Sequence, residues 1–256
     1  MNNTPDKPNY TDTFRVRADL HDEAFRLYPE ACREEITRVL SLASVQPGET
    51  LLDLPSASGF LSHYLPSADI RLIAVDPSPD LHRLCAKVVP ESHLAPLTQL
   101  PLANESIDVA VCLAGLHHEP RPDLVISEIK RVLKIGTGRA VVAEVDSRSA
   151  VAHFLNGFVN QFNSEGHQGD FVDETFVCML EQSGLVVESD EVAAYHWWFD
   201  SRFYLGDCLK KMFGMDLASP LQIANAVEDL LGIDWREDEK IGMRWSLRTF
   251  LLRKVE

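Results

Sequence analysis

The chain of 256 residues carries 24 Lys+Arg against 39 Asp+Glu, a net charge of -15. A surplus of that size repels nucleic-acid phosphates and anionic lipid surfaces unless a basic patch offsets it, and no such patch is visible, so neither nucleic acid nor a membrane is expected as a partner. With 45% hydrophobic residues and five cysteines in no C-x-x-C arrangement, the composition is that of a globular protein with a sizeable core and reduced thiols. Without a signal peptide or an apolar run near the ~18 residues that span a bilayer, a cytoplasmic location is expected.

Met1 to Pro8 is polar with two prolines and is expected to be loose. From Arg33 to Val45, the recurrence of Ile36, Val39, Leu40 and Ala43 at i, i+3, i+4 and i+7 predicts an amphipathic helix that Pro47-Gly48 stops. A short buried strand then ends at Asp53 and runs into small residues, Ser56-Ala57-Ser58-Gly59. Phe60 to Tyr64 begins a helix that Pro66 keeps short. An apolar strand, a tight turn without bulky side chains and a helix start together make a place where backbone can approach a ligand closely.

The second strand, Ile70 to Val75, ends in Asp76, 23 residues beyond Asp53. A carboxylate at that tip is what a doubly wound sheet uses to hold ribose hydroxyls. Pro77-Ser78-Pro79 leads into a helix over Asp80 to Val88, and a short third strand is expected near Ser92 to Ala95. Ile107 to Leu113 is a continuous apolar run, as in a parallel strand covered on both faces. Val125, Ile126, Ile129, Val132 and Leu133 mark one helical face, Gly136-Thr137-Gly138 ends it, and Ala140 to Val145 is a further buried strand. This alternation argues for a parallel sheet with right-handed crossovers.

Beyond it, helices are expected over Val151 to Phe162 and Asp173 to Ser183, then a long strand over Leu185 to Phe199 with an aromatic end. Two helical patterns follow, one with Leu205, Cys208, Leu209 and Met212 on a face. The second begins at Ser219-Pro220, a good cap and first turn. Gly242 to Lys254 reads as a last strand. The aromatic run Tyr195 to Phe199, with Phe203 and Tyr204, either walls an apolar pocket or packs under the added helices.

These residues resemble the class I S-adenosylmethionine-dependent methyltransferases, in particular the small-molecule branch, from about Arg33 to Asp146 and more weakly to Lys254. Leu51-Leu52-Asp53-Leu54-Pro55-Ser56-Ala57-Ser58-Gly59 stands where that family has Asp-x-Gly-x-Gly-x-Gly, and Ala74-Val75-Asp76-Pro77-Ser78 stands at its acidic second strand. Leu100-Pro101-Leu102 to Ser106-Ile107-Asp108 and Leu116-His117-His118 are similar to the stretches on either side of its fourth strand. Arg131-Val132-Leu133-Lys134-Ile135-Gly136 is close to Arg-Val-Leu-Lys-Pro-Gly. The resemblance implies a seven-stranded, doubly wound, Rossmann-like α/β fold with a mostly parallel sheet and a helical insertion before the last strand. It further implies S-adenosylmethionine as cofactor, held by Asp53, Leu54, Ser56, Gly59, Asp76 and Pro77, and methyl transfer to a small molecule.

On this reading 1–256 form one domain: an N-terminal helical segment (1–48), a nucleotide-binding half (49–146) and a substrate-side half (147–256). The insertion at 201–238 is either a lid or the patch of a homodimer. His117 and His118 follow the fourth strand, where open sheets place ligands, and either could act as general base, although without a neighbour to fix the tautomer a pair of loop histidines, one packed and one solvated, is the favoured reading. As metal ligands they lack a third partner in the sequence, so no metal is expected. Glu144 and Asp146 bracket the fifth strand's end and either orient a substrate or, as is more usual, cap the next helix or meet solvent. Two family glycines are Pro55 and Ala57, and Pro96 replaces an acidic residue. These departures motivate two alternatives, a binding or regulatory subunit that has lost the cofactor, and a non-methylating enzyme catalysing a cyclisation or elimination.

Overall fold

The computed structural model describes residues 10–256, so the loose end expected over Met1 to Pro8 lies outside the described residues. Five parallel strands come first: β1 (Thr50–Asp53), β2 (Arg71–Asp76), β3 (Ser92–Leu94), β4 (Val109–Leu113) and β5 (Arg139–Glu144). Two long strands, β6 (Val186–Phe199) and β8 (Ile241–Arg253), then pair antiparallel with each other, and β8 also pairs antiparallel with β5. The order is β3-β2-β1-β4-β5-β8-β6, the doubly wound arrangement expected. An eighth, three-residue strand, β7 (Ile233–Trp235), adds to the seven expected and pairs with β8 over Ile241 to Met243.

Alternation along each strand splits the core in two, because successive side chains leave a sheet on opposite faces. Leu51, Val109, Val111, Val141 and Ala143 face one way, against α2 (Arg33–Ala43). Leu52, Ala110, Cys112, Ala140 and Val142 face the other, against α4 (Pro122–Val132) and α7 (Glu174–Gln182), which Asp173 caps as expected.

The motif residues have a structural task in this layering. Arg131 donates to the carbonyls of Leu100 and Leu102, to Asn104 and to Glu128, so one guanidinium fastens the loop between β3 and β4 to the end of α4. Lys134 reaches Asp108 at 2.7 Å, and its N–H donates to the Ile107 carbonyl. The two similar stretches, thirty residues apart, are thus halves of one clamp. That clamp sets where β4 begins.

Three elements depart from expectation. Residues 60–64 form a 3-10 turn, not an α-helix, so the loop after β1 is not followed by an α-helix dipole that could hold an anion. The segment after β5 is helical but irregular: α5 (Ala150–His153), a π-turn (Phe154–Val159) and α6 (Asn160–Phe162). Most consequential is α1 (Tyr10–Leu27), an 18-residue helix ahead of the one expected from Arg33, within the N-terminal helical segment. It lies between α3 (Pro79–Cys85) and the insertion, with Tyr10, Phe14 and Ala18 packed on Leu81 and Leu84.

The insertion itself is α8 (Arg202–Phe213), α9 (Pro220–Leu230) and β7. Leu205, Cys208, Leu209 and Met212 of α8 are buried as the periodicity predicts. Gly206 lets α9 approach: a Cβ there would stand 1.8 Å from the Pro220 carbonyl oxygen. The buried face of α8 packs on α1 and the β6–β8 pair, which places α8 over the carboxyl edge of the sheet.

Candidate active site

A cavity of about 120 Å³ opens at that edge, under α1 and α8 and above the ends of β1, β4 and β5. Its floor comes from the sheet: Asp53 ends β1, and Leu113 to His118 follow β4. Its roof is one face of α1, where Tyr10, Phe14, Arg17, His21 and Phe25 recur every three or four residues and all reach the cavity. Trp197 and Trp245 of the β6–β8 pair and Met212 and Phe213 of α8 close the far end. Strand alternation along β6 buries Tyr195, Trp197 and Phe199, whereas Phe203 and Tyr204, at the start of α8, are exposed.

Asp76 does lie at the tip of β2, but this side chain is fully buried and occupied. Oδ2 accepts from the Tyr10 hydroxyl at 2.9 Å and the Ala57 N–H at 2.8 Å, and Oδ1 accepts from the Ser78 N–H at 2.8 Å. Burial outweighs these donors and pushes its carboxyl up to about 7. Asp53 is the opposite case: it lines the cavity, and its Oδ2 is buried without a partner. Burial, and then the neighbouring Asp76, push the Asp53 carboxyl well above the usual range.

The other expected cofactor residues are placed differently. Leu54 is fully buried among apolar side chains of the sheet. Ser56 borders the cavity but turns its hydroxyl toward the Cys85 thiol, 3.6 Å away. Gly59 (φ 81°) belongs to the turn and faces α3: a Cβ would stand 3.0 Å from Cys85, Val88 and Val89. Pro77 lies outside the cavity lining, its carbonyl accepting from Thr11 at 3.4 Å. Pro55 follows a cis peptide, and its ring packs on Gly115, where a Cβ would be only 2.2 Å away.

His117 and Glu144 form a dyad. The imidazole Nδ1 stands 2.9 Å from Oε2, and Oε1 accepts the Leu116 N–H at 2.5 Å, so one buried carboxylate fixes both backbone and ring. A carboxylate on Nδ1 holds the proton there and leaves Nε2 as the basic nitrogen. Asp146 takes none of the expected roles: its carboxylate accepts the Arg148 N–H in the turn before α5 and meets Arg248 at 3.5 Å, while Ser149 caps the helix. His118 packs on His117 with ring centroids 4.2 Å apart, and His167, on the loop after α6, joins both. No local pattern marks His167, because only the turn of that loop brings it to β4.

The three histidines present ligating nitrogens within 4.8 Å of one another, so the third partner missing from the sequence exists in space. The same cavity also holds the guanidinium of Arg17. That positive charge makes the cluster a worse place for a divalent cation than for an anion.

Glu35 of α2 also lines the cavity, accepting from Trp197 Nε1 at 3.0 Å, and burial pushes its carboxyl up to about 7 from an ordinary 4.5. The folded chain therefore keeps this proton longer than the unfolded chain does. Its contribution to stability falls as pH rises from about 4.5 to about 7. Glu35→Gln is expected to raise the unfolding free energy by about 2 kcal/mol more at pH 8 than at pH 5, read from urea melts. Equal gains at both pH values would show that the carboxyl ionises as freely in the fold as outside it.

Known proteins place this geometry. A family described as a methyltransferase domain matches residues 52–141. The ubiquinone/menaquinone biosynthesis C-methyltransferase of Rubrivivax gelatinosus is 32% identical over 130 residues, 49% of this chain and 50% of that protein. The chain thus spans about half the length of this curated relative. The malonyl-[acyl-carrier protein] O-methyltransferase of Laribacter hongkongensis is 33% identical over 216 residues, 72% of this chain and 71% of that one. Among solved structures, phosphoethanolamine N-methyltransferase 2 of Haemonchus contortus superposes with a TM-score of 0.62 at 12% identity, over 98% of this chain and 62% of its own. The [4+2]-cyclase SpnF gives 0.57 at 17% identity, over 86% and 80%. The order and spacing of the motifs, the strand order of the sheet and the extent of these matches agree: the chain belongs to the class I S-adenosylmethionine-dependent methyltransferases.

Proposed function

We propose that the chain transfers the methyl group of S-adenosylmethionine to a carbon, nitrogen or oxygen of a small molecule seated in the cavity under α1 and α8. The family typically binds this cofactor. The observation that carries the reading is Asp53: a carboxyl oxygen buried without a partner, on a residue that lines the cavity, is expensive to keep and calls for a polar partner brought by a ligand. Asp76, next to it in the sheet, is the carboxylate for a ribose diol. The polar chemistry therefore fits the cofactor.

Its bulk fits only if α1 gives way. The cavity of about 120 Å³ is below the roughly 300–1,000 Å³ of ordinary ligand sites, and the Tyr10 hydroxyl already occupies Asp76. On this reading the first turns of α1 are a cap, and Tyr10 holds the place of the ribose hydroxyls until the cofactor takes it.

When bound, the cofactor supplies an electrophilic sulfonium methyl. The chain's own residues supply orientation, dryness and a base. The apolar walls of Phe14, Trp197 and Trp245 exclude water, and proximity is the larger part of the rate. His117 Nε2 takes the proton of an acceptor hydroxyl or amine where one must leave, while Glu144 positions the ring and stabilises the imidazolium that forms.

A second reading rests on the same Asp76. Since its carboxylate is satisfied from within, the chain could serve as a binding subunit, or as a cyclising or eliminating enzyme, with the cofactor site permanently closed. Calorimetry with S-adenosylmethionine and S-adenosylhomocysteine separates the two. Methyl transfer requires dissociation constants at or below the millimolar range. Absence of heat at millimolar ligand would overturn it and leave the closed-site reading.

A further inference from the structure

Arg17 is the cavity residue that methyl transfer, as just derived, leaves unused. The residue is 7% exposed; Nη1 donates to the Phe213 carbonyl at 3.1 Å, and Nε has no partner. Among the described residues no carboxylate stands within ion-pair distance of it, although Glu35 and Asp53 line the same cavity. Its stem is held firmly. It runs past Gly214, where a Cβ would lie 2.5 Å from the Arg17 Cδ, and its head lies over the Phe14 ring at 5.2 Å.

A buried cation without a counter-charge costs several kcal/mol, and a fold keeps one where a ligand brings the missing charge. Around it stand imidazoles that are also incomplete: His118 and His167 each bury an Nδ1 with no partner. Burial pushes both rings below their ordinary value, so they are neutral and each has one N–H to give. The carboxyls of Glu35 and Asp53, pushed up by burial, compete weakly for the guanidinium.

We propose that Arg17, His118 and His167 form an oxyanion receptor that binds a carboxylate or phosphate group carried by the acceptor. The proposal deepens the acceptor side of the methyl-transfer reading, and it selects acidic small molecules over neutral ones. A guanidinium supplies paired donors to two oxygens of such a group, and the imidazole N–H groups supply the rest. The apolar wall opposite accepts the molecule's body.

The cofactor has a carboxylate of its own, so the test carries an arm for each source. Benzoate, phenyl phosphate and neutral benzamide are titrated by calorimetry into the full chain and into Arg17→Met. Wild type is expected to bind at least one of the two anions tenfold or more tighter than benzamide, and Arg17→Met to lose that preference. The variant is expected to melt no lower than wild type, since an unpaired buried cation has been removed, which separates lost binding from lost folding. S-adenosylhomocysteine affinity is expected to stay within twofold.

Equal binding of both anions and benzamide to wild type, or an anion preference that survives Arg17→Met, would overturn the receptor. If Arg17→Met instead weakens S-adenosylhomocysteine tenfold but not 5′-methylthioadenosine, which lacks the amino-acid part, the guanidinium belongs to the cofactor and the acceptor assignment falls. The benzoate and phenyl phosphate arms need no methyl donor, so they decide this inference even if the cofactor proves not to bind.

Discussion

His117→Ala is expected to slow methyl transfer by about 10²–10⁴-fold in kcat, the range a positioned general base supplies. The expectation follows from the dyad. A carboxylate with 1% side-chain exposure, bonded on one oxygen to a backbone N–H and on the other to Nδ1, holds the ring in one tautomer and one orientation. Nε2 is then the nitrogen left to accept a proton, on a residue that lines the cavity. Glu144→Gln keeps the backbone bond but loses the charge that stabilises the imidazolium, so a smaller loss is expected, about 10- to 100-fold.

The measurement is the initial rate of S-adenosylhomocysteine formation with the acceptor identified by mass spectrometry of copurifying small molecules. S-adenosylhomocysteine affinity separates chemistry from structure, since it should be unchanged in His117→Ala while the rate falls. An unaltered rate would remove His117 from the reaction.

The second large effect concerns the cap. Asp76→Ala is expected to weaken S-adenosylhomocysteine by about 1.5–3 kcal/mol, roughly 10- to 150-fold, because hydrogen bonds to a charged acceptor are lost. Tyr10→Phe is expected to act in the opposite direction and tighten binding roughly 2- to 10-fold, since the phenol no longer competes for the same Oδ2. Opposite signs from two partners of one hydrogen bond are hard to produce by general destabilisation.

A pH dependence accompanies this pair. Burial pushes the Asp76 carboxyl up to about 7, so its accepting, ionised form fills in above that pH. Affinity should rise between pH 6 and pH 8 in wild type and stay flat in Asp76→Ala. Calorimetry at three pH values checks both. If Tyr10→Phe also weakens binding, Tyr10 touches the ligand and does not stand in for it.

Much of the scaffold is legible because it rests on local regularities. The apolar runs of β1, β2, β4 and β5 are recognisable since parallel strands buried on both faces are apolar along their middles, with charged residues kept to their ends. The faces of α4 and α8 follow from spacing, and the starts of α7 and α9 from Asp173 and Ser219 as caps. The clamp of Arg131 and Lys134 was visible only as a motif, and its reason is the loop it fastens. By contrast, α1 was missed although Tyr10, Phe14, Ala18, His21 and Phe25 recur at helical spacing. Two of the positions on its inner face are Arg17 and His21, and polar residues there blur the stripe.

The site divides along the same line. From the sequence alone come the sheet, the carboxylates at the ends of β1 and β2 and the histidines after β4, because each is fixed by its position on one strand. Tertiary structure alone decided that Glu144 holds His117, that Tyr10 covers Asp76, and that Arg17 and His167 enter the cavity. Those meetings join residues 27 to 66 positions apart in the dyad and the cap, and bring helices, strand ends and loops together around the cavity. Contacts of that span are set by how helices pack over the sheet edge, and no local pattern records them.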